Sequence, residues 1–169
     1  ICGDDGEELP VGETGLIYFS DGPSFEYNND RIKTQVSRNQ YEWSTMGDIG
    51  HINQDGYLFI TDRKANMIIS GGVNIYPQEA ENRLLSHPEI RDVAVIGVPN
   101  SDFGEEVKGI VQLIDSQKAG EVLAQELIEY CWETVSKIKS PRSIDFVTEL
   151  PRRENGKLYK KLLKQQYRN

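Results

Sequence analysis

"GDIGHINQDGYLFITDRKANMIISGGVNIYP", Gly47 to Pro77, carries two hairpin signals separated by a polar break. The first is Asp55-Gly56, set between runs of strand formers. Glycine reaches positive φ without a Cβ clash, so Asp-Gly at such a place closes a two-stranded ribbon. Ile49 and Ile52, then Tyr57, Phe59 and Thr61, are expected to form its faces. The second signal is Gly71-Gly72, between the apolar runs "MIIS" and "VNIY". Two adjacent glycines make either a hairpin or a crossover turn, or let another backbone or a thin ligand approach closely. Between the two lies Arg63-Lys64-Ala65, short and polar, which suits a hinge as well as an ordinary linker. Two parts are therefore expected: a β-rich piece over residues 1–62 and a compact α+β unit over residues 66–169, joined by residues 63–65.

Outward from this stretch the pattern continues on both sides. Upstream, "TGLIYF" (Thr14 to Phe19) reads as a short strand after the turn "LPVGE", and Ser20 to Asn39 is polar and irregular. Downstream, Pro77 suits a first helical turn, where no N–H is needed, and "PQEAENRLLSHP" reads as a helix stopped near His87-Pro88. "RDVAVIGVP" and "EVKGIVQLI" are buried strands. Apolar residues at Leu123, Leu127, Cys131, Val135 and Ile138 predict a helix from Glu121 to about Ile138. "SIDFVTEL" is a further strand, and "LYKKLLKQQYRN" a short amphipathic helix with Leu158, Leu162 and Tyr159 inward. The fold class is α+β: a β-rich segment, then a small domain with a short hairpin, a three-stranded sheet and flanking helices.

Bulk properties limit the function. The chain has 169 residues, 37% of them hydrophobic, and a mean hydropathy of -0.55. No apolar run approaches the roughly 20 residues that span a bilayer. The start, "ICGDDGEELP", has neither the pattern of a signal peptide nor a methionine, so a cytoplasmic chain cut from something longer is expected. A net charge of -8 argues against a nucleic-acid binder. Cys2 and Cys131 form no CxxC pair, and His51 and His87 have no metal-ligand spacing, so no metal site is expected and reduced thiols are.

Charge is unevenly distributed. From Pro151 onward there are seven basic residues and one acid, a net +6 that leaves -14 elsewhere. Within this tail, "LPRRENGKLYKK" places Lys157 directly after Gly156. A glycine permits a tight turn, and a lysine thrown out from it suits negative charge developing on phosphate or carboxylate oxygens. A solvated basic tail is the plain alternative. The sequence is not a Walker loop, because Leu158 replaces the Ser or Thr that follows the lysine. Asp48 and Arg63 stand at the two ends of the first ribbon. There an acceptor and a donor can meet, either to hold vicinal ribose hydroxyls or as a simple salt bridge.

In order and spacing, "GDIGHINQDGYLFITDRKANMIISGGVNIYPQEAENRLLSHPEIRDVAVIGVPNSDFGEEVKGIVQL" followed by "LPRRENGKLYKKLL" resembles the acyl-CoA synthetases of the adenylate-forming superfamily, relatives of the luciferases and of peptide-synthetase adenylation domains. The resemblance covers nearly the whole chain; "GEELPVGETGLIYF" is similar to the segment that closes the family's large N-terminal domain. It implies an AMP-forming acid–thiol ligase that activates a carboxylic acid, a fatty acid or a related one, as acyl-adenylate and passes it to CoA. It implies that Asp48 and Arg63 contact the ribose of ATP, that Lys157 serves adenylation, that Gly71, Gly72 and Val73 line the pantetheine path, and that Ala65 is the hinge. The family's phosphate loop, its Mg²⁺ glutamate and its acyl pocket have no counterpart here. The chain is thus expected to be a C-terminal fragment, inactive alone, whose partners are its own N-terminal domain, ATP, CoA and a small carboxylic acid. Loading of a carrier-protein phosphopantetheine, and a non-enzymatic binding module with a docking tail, are the alternatives. Two positions depart from the family: Met46 stands where threonine is usual, with Thr45 beside it, and Ala65 stands where the hinge is often Lys or Asp.

Overall fold

The computed structural model describes residues 1–22 and 25–167. Arg168, counted in the basic tail, lies outside them. The chain forms two units, Ile1–Ala65 and Asn66–Asn169.

In the first unit an antiparallel sheet runs in the order β1 (Gly15–Leu16), β2 (Asp48–Ile52), β3 (Leu58–Arg63). The turn between β2 and β3 is closed by Asn53, whose side-chain oxygen accepts from the amides of Asp55 and Tyr57. Gly56 supplies the positive φ, at 83°. Of the expected face residues only Ile49 is buried, whereas Tyr57 and Phe59 are exposed, with Phe59 stacked on His51. The polar stretch holds a helix that periodicity did not signal, α1 (Arg31–Val36). It is capped by Asp30, whose carboxylate accepts from the Lys33 amide. No residue of α1 is buried, so it has no apolar stripe to read.

The second unit contains β4 (Ile68–Ser70), β5 (Val73–Ile75), α2 (Pro77–Leu85), β6 (Ile90–Asn100), β7 (Gly104–Leu113), α3 (Glu121–Trp132), β8 (Ser143–Val147) and α4 (Lys160–Gln166). β6 and β7 form a long antiparallel ladder. β8 pairs with β7 in parallel, and β4 joins β7 through Ser70 and Gly104. The expected hairpin and three-stranded sheet are therefore one five-stranded sheet. Val93, Val95, Val107 and Val111 face α2 and α3, through Leu84, Leu127 and Cys131. Ala94, Ile96, Val98 and Ile110 form the other core with Leu163 of α4. Burial on both faces explains why β6 reads as a continuous apolar run rather than an alternation.

Two helix expectations change. α3 ends at Trp132, not near Ile138, which is exposed. The apolar spacing persists beyond the helix because Val135 is still buried, in a turn whose amide reaches the Cys131 carbonyl. In α4 the buried residue is Leu163, with Leu162 exposed, because the helix begins only at Lys160.

α4 is also tied down by polar contacts. Tyr167 donates to Asp145 at 2.7 Å, and Lys108 lies 2.7 Å from the same carboxylate. Burial, with the Asp145 contact added, pushes the Tyr167 hydroxyl up to about 12. Burial also acts to raise Asp145, but the hydrogen bonds from Lys108 and Tyr167 outweigh it and leave the carboxyl below its ordinary range. The Asp145 contribution to stability is present above about pH 4 and lost as pH falls further; that of Tyr167 is present below about pH 10 and lost as pH rises toward 12. In Tyr167→Phe the chain is expected to lose about 1.5 kcal/mol in denaturant unfolding. Ultraviolet titration of the wild type should show one tyrosine ionising near 12 that the variant lacks.

Candidate functional site

The ribbon of the first unit places Asp48 and Arg63 as cross-strand partners. Arg63 Nε donates to Asp48 Oδ1 at 3.0 Å. The arginine is largely exposed, so the pair itself adds little stability. The second carboxylate oxygen of Asp48 is the group that can accept from a diol. Gly47 precedes it at φ 83°, and its amide donates to Thr45 Oγ1 at 3.0 Å. Thr45 is buried and committed to that turn, while Met46 is exposed. The Thr45 oxygen is thus turned toward its own turn, and position 46 presents a thioether rather than a hydroxyl. Ala65 lies exposed in a single 3-10 turn, Lys64–Asn66, at the end of the first unit.

Gly71 and Gly72 form the two-residue turn between β4 and β5, with φ of 56° and 80°. Positive φ at both positions is what a tight hairpin matching the sheet twist requires. Their surroundings differ. A Cβ at Gly71 would come within 3.1 Å of the Phe103 ring, whereas one at Gly72 would meet nothing within 4 Å. Gly71 also donates to the Phe103 carbonyl at 2.9 Å, and Arg142 stacks on that ring at 4.4 Å. Val73, beside the tip, is partly exposed. Sequence reading missed Phe103 and Arg142, because each meets the turn through tertiary pairing alone.

Lys157 sits on a small hairpin closed by an antiparallel bridge between Arg152 and Leu158. Gly156, at φ 77°, turns the chain, and its amide donates to the Arg153 carbonyl at 2.8 Å. The Lys157 amide donates to Asn155 Oδ1 at 3.1 Å. Its side chain is exposed and pairs with no described residue. Its neighbours are engaged. Arg152 binds Asp92, Arg153 stacks on Tyr159, and Lys160 lies 2.7 Å from Glu81 in the interior. Among the described residues no cluster of His, Cys, Asp or Glu is placed to hold a metal, so the residues present do not fit a Mg²⁺ site.

The second unit is thus a small α+β domain that carries Lys157 on one glycine turn and Gly71-Gly72 at the tip of another hairpin. Residues 79–157 match the model of the AMP-binding enzyme C-terminal domain. It is 38% identical over 169 residues to a long-chain-fatty-acid–CoA ligase, FadD13, of Mycobacterium tuberculosis, covering 99% of this chain and 32% of that protein. An ATP-bound RpMatB-BxBclM chimera superposes with a TM-score of 0.88 at 35% identity, covering 99% of this chain and 33% of the chimera. The o-succinylbenzoate CoA synthetase MenE of Bacillus subtilis, in complex with the acyl-adenylate intermediate OSB-AMP, gives 0.79 at 33% identity, covering 95% and 32%. The chain thus spans about a third of the length of the curated relatives it matches.

The two glycines are expected to respond differently to alanine. Gly72→Ala adds only backbone strain, about 1 kcal/mol. Gly71→Ala adds the same strain and displaces Phe103, so its loss in denaturant unfolding should be the larger.

Proposed function

We propose that this chain is the C-terminal part of an AMP-forming acyl-CoA ligase, with residues 1–62 closing the N-terminal AMP-binding domain, residues 63–65 as the hinge and residues 66–169 as the lid. The observation that carries this reading is the state of Lys157: exposed and paired with no described residue, at the tip of a turn where Arg152, Arg153 and Lys160 are engaged. The names of its relatives, ligases that form acyl-CoA, support CoA as the acceptor. The cytoplasm, where ATP and CoA are available, is the compartment that fits.

The chemistry then proceeds in two steps. A carboxylate oxygen of the acid attacks the α-phosphorus of ATP as the bond to pyrophosphate breaks. Lys157 lies against the carboxylate and phosphate oxygens, orients them and neutralises the charge that builds. Asp48 accepts from the ribose hydroxyls, and Arg63 both fixes Asp48 and offers a second ribose contact. ATP arrives with Mg²⁺, whose ligands belong to the N-terminal domain. In the second step the CoA sulfur bonds to the acyl carbon, the carbon–oxygen bond to AMP breaks, and the thiol proton leaves. Here the second unit turns about Ala65, withdraws Lys157 and brings Gly71, Gly72 and Val73 to the pantetheine arm. A hairpin tip with open space over Gly72 suits a thin, uncharged chain.

In the intact ligase, Lys157→Ala is expected to slow acyl-adenylate formation at least about a hundredfold. Thioester formation from supplied acyl-adenylate should stay within a few-fold of wild type. Equal losses in the two steps would refute the assignment. The 169-residue chain alone should give no ATP–pyrophosphate exchange above background.

A further inference from the structure

The turn that bears Lys157 is held by two residues not yet given a role. Arg152 donates from Nε and Nη2 to Asp92 Oδ2 at 2.9 and 2.6 Å, and from Nη1 to the Gly156 carbonyl at 2.6 Å. Asp92 stands near the start of β6, whose ladder with β7 is the longest in the molecule. The Gly156 carbonyl belongs to the peptide plane from which Lys157 hangs. That plane's amide is engaged as well, by Asn155. One guanidinium thus ties the plane that aims Lys157 to the sheet.

The energetics say what the contact is for. The Arg152 side chain is 44% exposed and that of Asp92 19%, so solvent screens the pair and its net stability is small. Its geometry is not replaceable. A planar fork holds a carboxylate and a carbonyl in fixed directions; a lysine ammonium keeps the charge but not that fixed geometry. The Lys160–Glu81 contact on the far side of the turn is different. It is interior, with side chains 11% and 8% exposed, and its loss leaves a buried charge unpaired. That pair anchors α4, whereas the Arg152 contact anchors the aim of Lys157.

We propose that Arg152, fixed by Asp92, is a positioning residue for Lys157: it sets the peptide plane of Gly156 and thereby the rate of acyl-adenylate formation, without touching the reactants. This rests on the adenylation role given to Lys157 above. The test has two arms. In the 169-residue chain, amide hydrogen exchange is followed at Arg153, which donates to the Lys157 carbonyl, and at Gly156. Arg152→Lys should speed both about tenfold while amides of the β6–β7 ladder keep their rates. In the intact ligase the same variant should slow acyl-adenylate formation about tenfold or more, in kcat rather than KM, and leave thioester formation from supplied acyl-adenylate at wild-type rate. Asp92→Asn, which keeps shape and removes charge, should act in the same direction more weakly, and it serves if Arg152→Lys folds poorly. Unchanged exchange at Arg153 and Gly156, or equal losses in the two half-reactions, overturns the proposal. Lys157→Ala separately decides the reading beneath it, because an unselective loss there removes the chemistry while the amide result still judges the clamp.

Discussion

The second unit depends on a two-stranded ladder that is dry on both faces. β6 and β7 pair from Ile90 and Leu113 to Asn100 and Gly104, and valines, isoleucines and an alanine fill both sides. A strand buried on both faces cannot bend toward solvent without exposing one core or the other, so it is a stiff platform. The working loops of the unit are attached to its ends and edges. Gly104, at one end of β7, pairs with Ser70 and so locates the glycine-tipped hairpin. Asp92, near the other end of the ladder, holds Arg152 and the lysine turn. The two features given different half-reactions above are thus fixed to one rigid body.

The open edge of β6 shows how the unit handles exposed backbone. No described strand lies beyond Val95, and its amide donates to Glu81 Oε1 of α2 at 2.6 Å. The same oxygen lies 2.7 Å from Lys160 Nζ. A carboxylate that caps a buried N–H needs a countercharge, and Lys160 supplies it from the first residue of α4. The desolvation cost of such a pair makes it a weak source of stability compared with an apolar contact. The pair joins the first residue of α4 to α2, on the helix whose Leu163 enters the core.

What was legible in the sequence was local. Asp55-Gly56 and Gly71-Gly72 announce their hairpins because positive φ is a property of the residue itself. Pro77 marks the start of α2 for the same kind of reason. The apolar strands declared themselves by composition, and Asp48 with Arg63 by standing at two ends of one ribbon. What depends on tertiary partners was not legible. α1 buries nothing and so leaves no periodicity. The apolar repeat of α3 runs past its end because a buried turn satisfies the same spacing. Asp92 lies 60 residues from Arg152, and nothing in the spacing of either announces the other.

The partners also explain the charge of the tail. A net +6 at the end of an acidic chain suggests a diffuse surface attracted to anions. Within the domain Arg152 engages Asp92, Lys160 engages Glu81, and Arg153 lies over the ring of Tyr159. The two ion pairs cancel field rather than project it, and the contacts together hold the turn from its base and from the start of α4. Lys157 is left with its charge exposed and its backbone fixed. A flexible ammonium in water is a poor electrostatic catalyst because solvent reorganises as fast as charge develops; an ammonium whose backbone is already placed has less to reorganise. Much of the basic tail is therefore framework for the turn that carries Lys157.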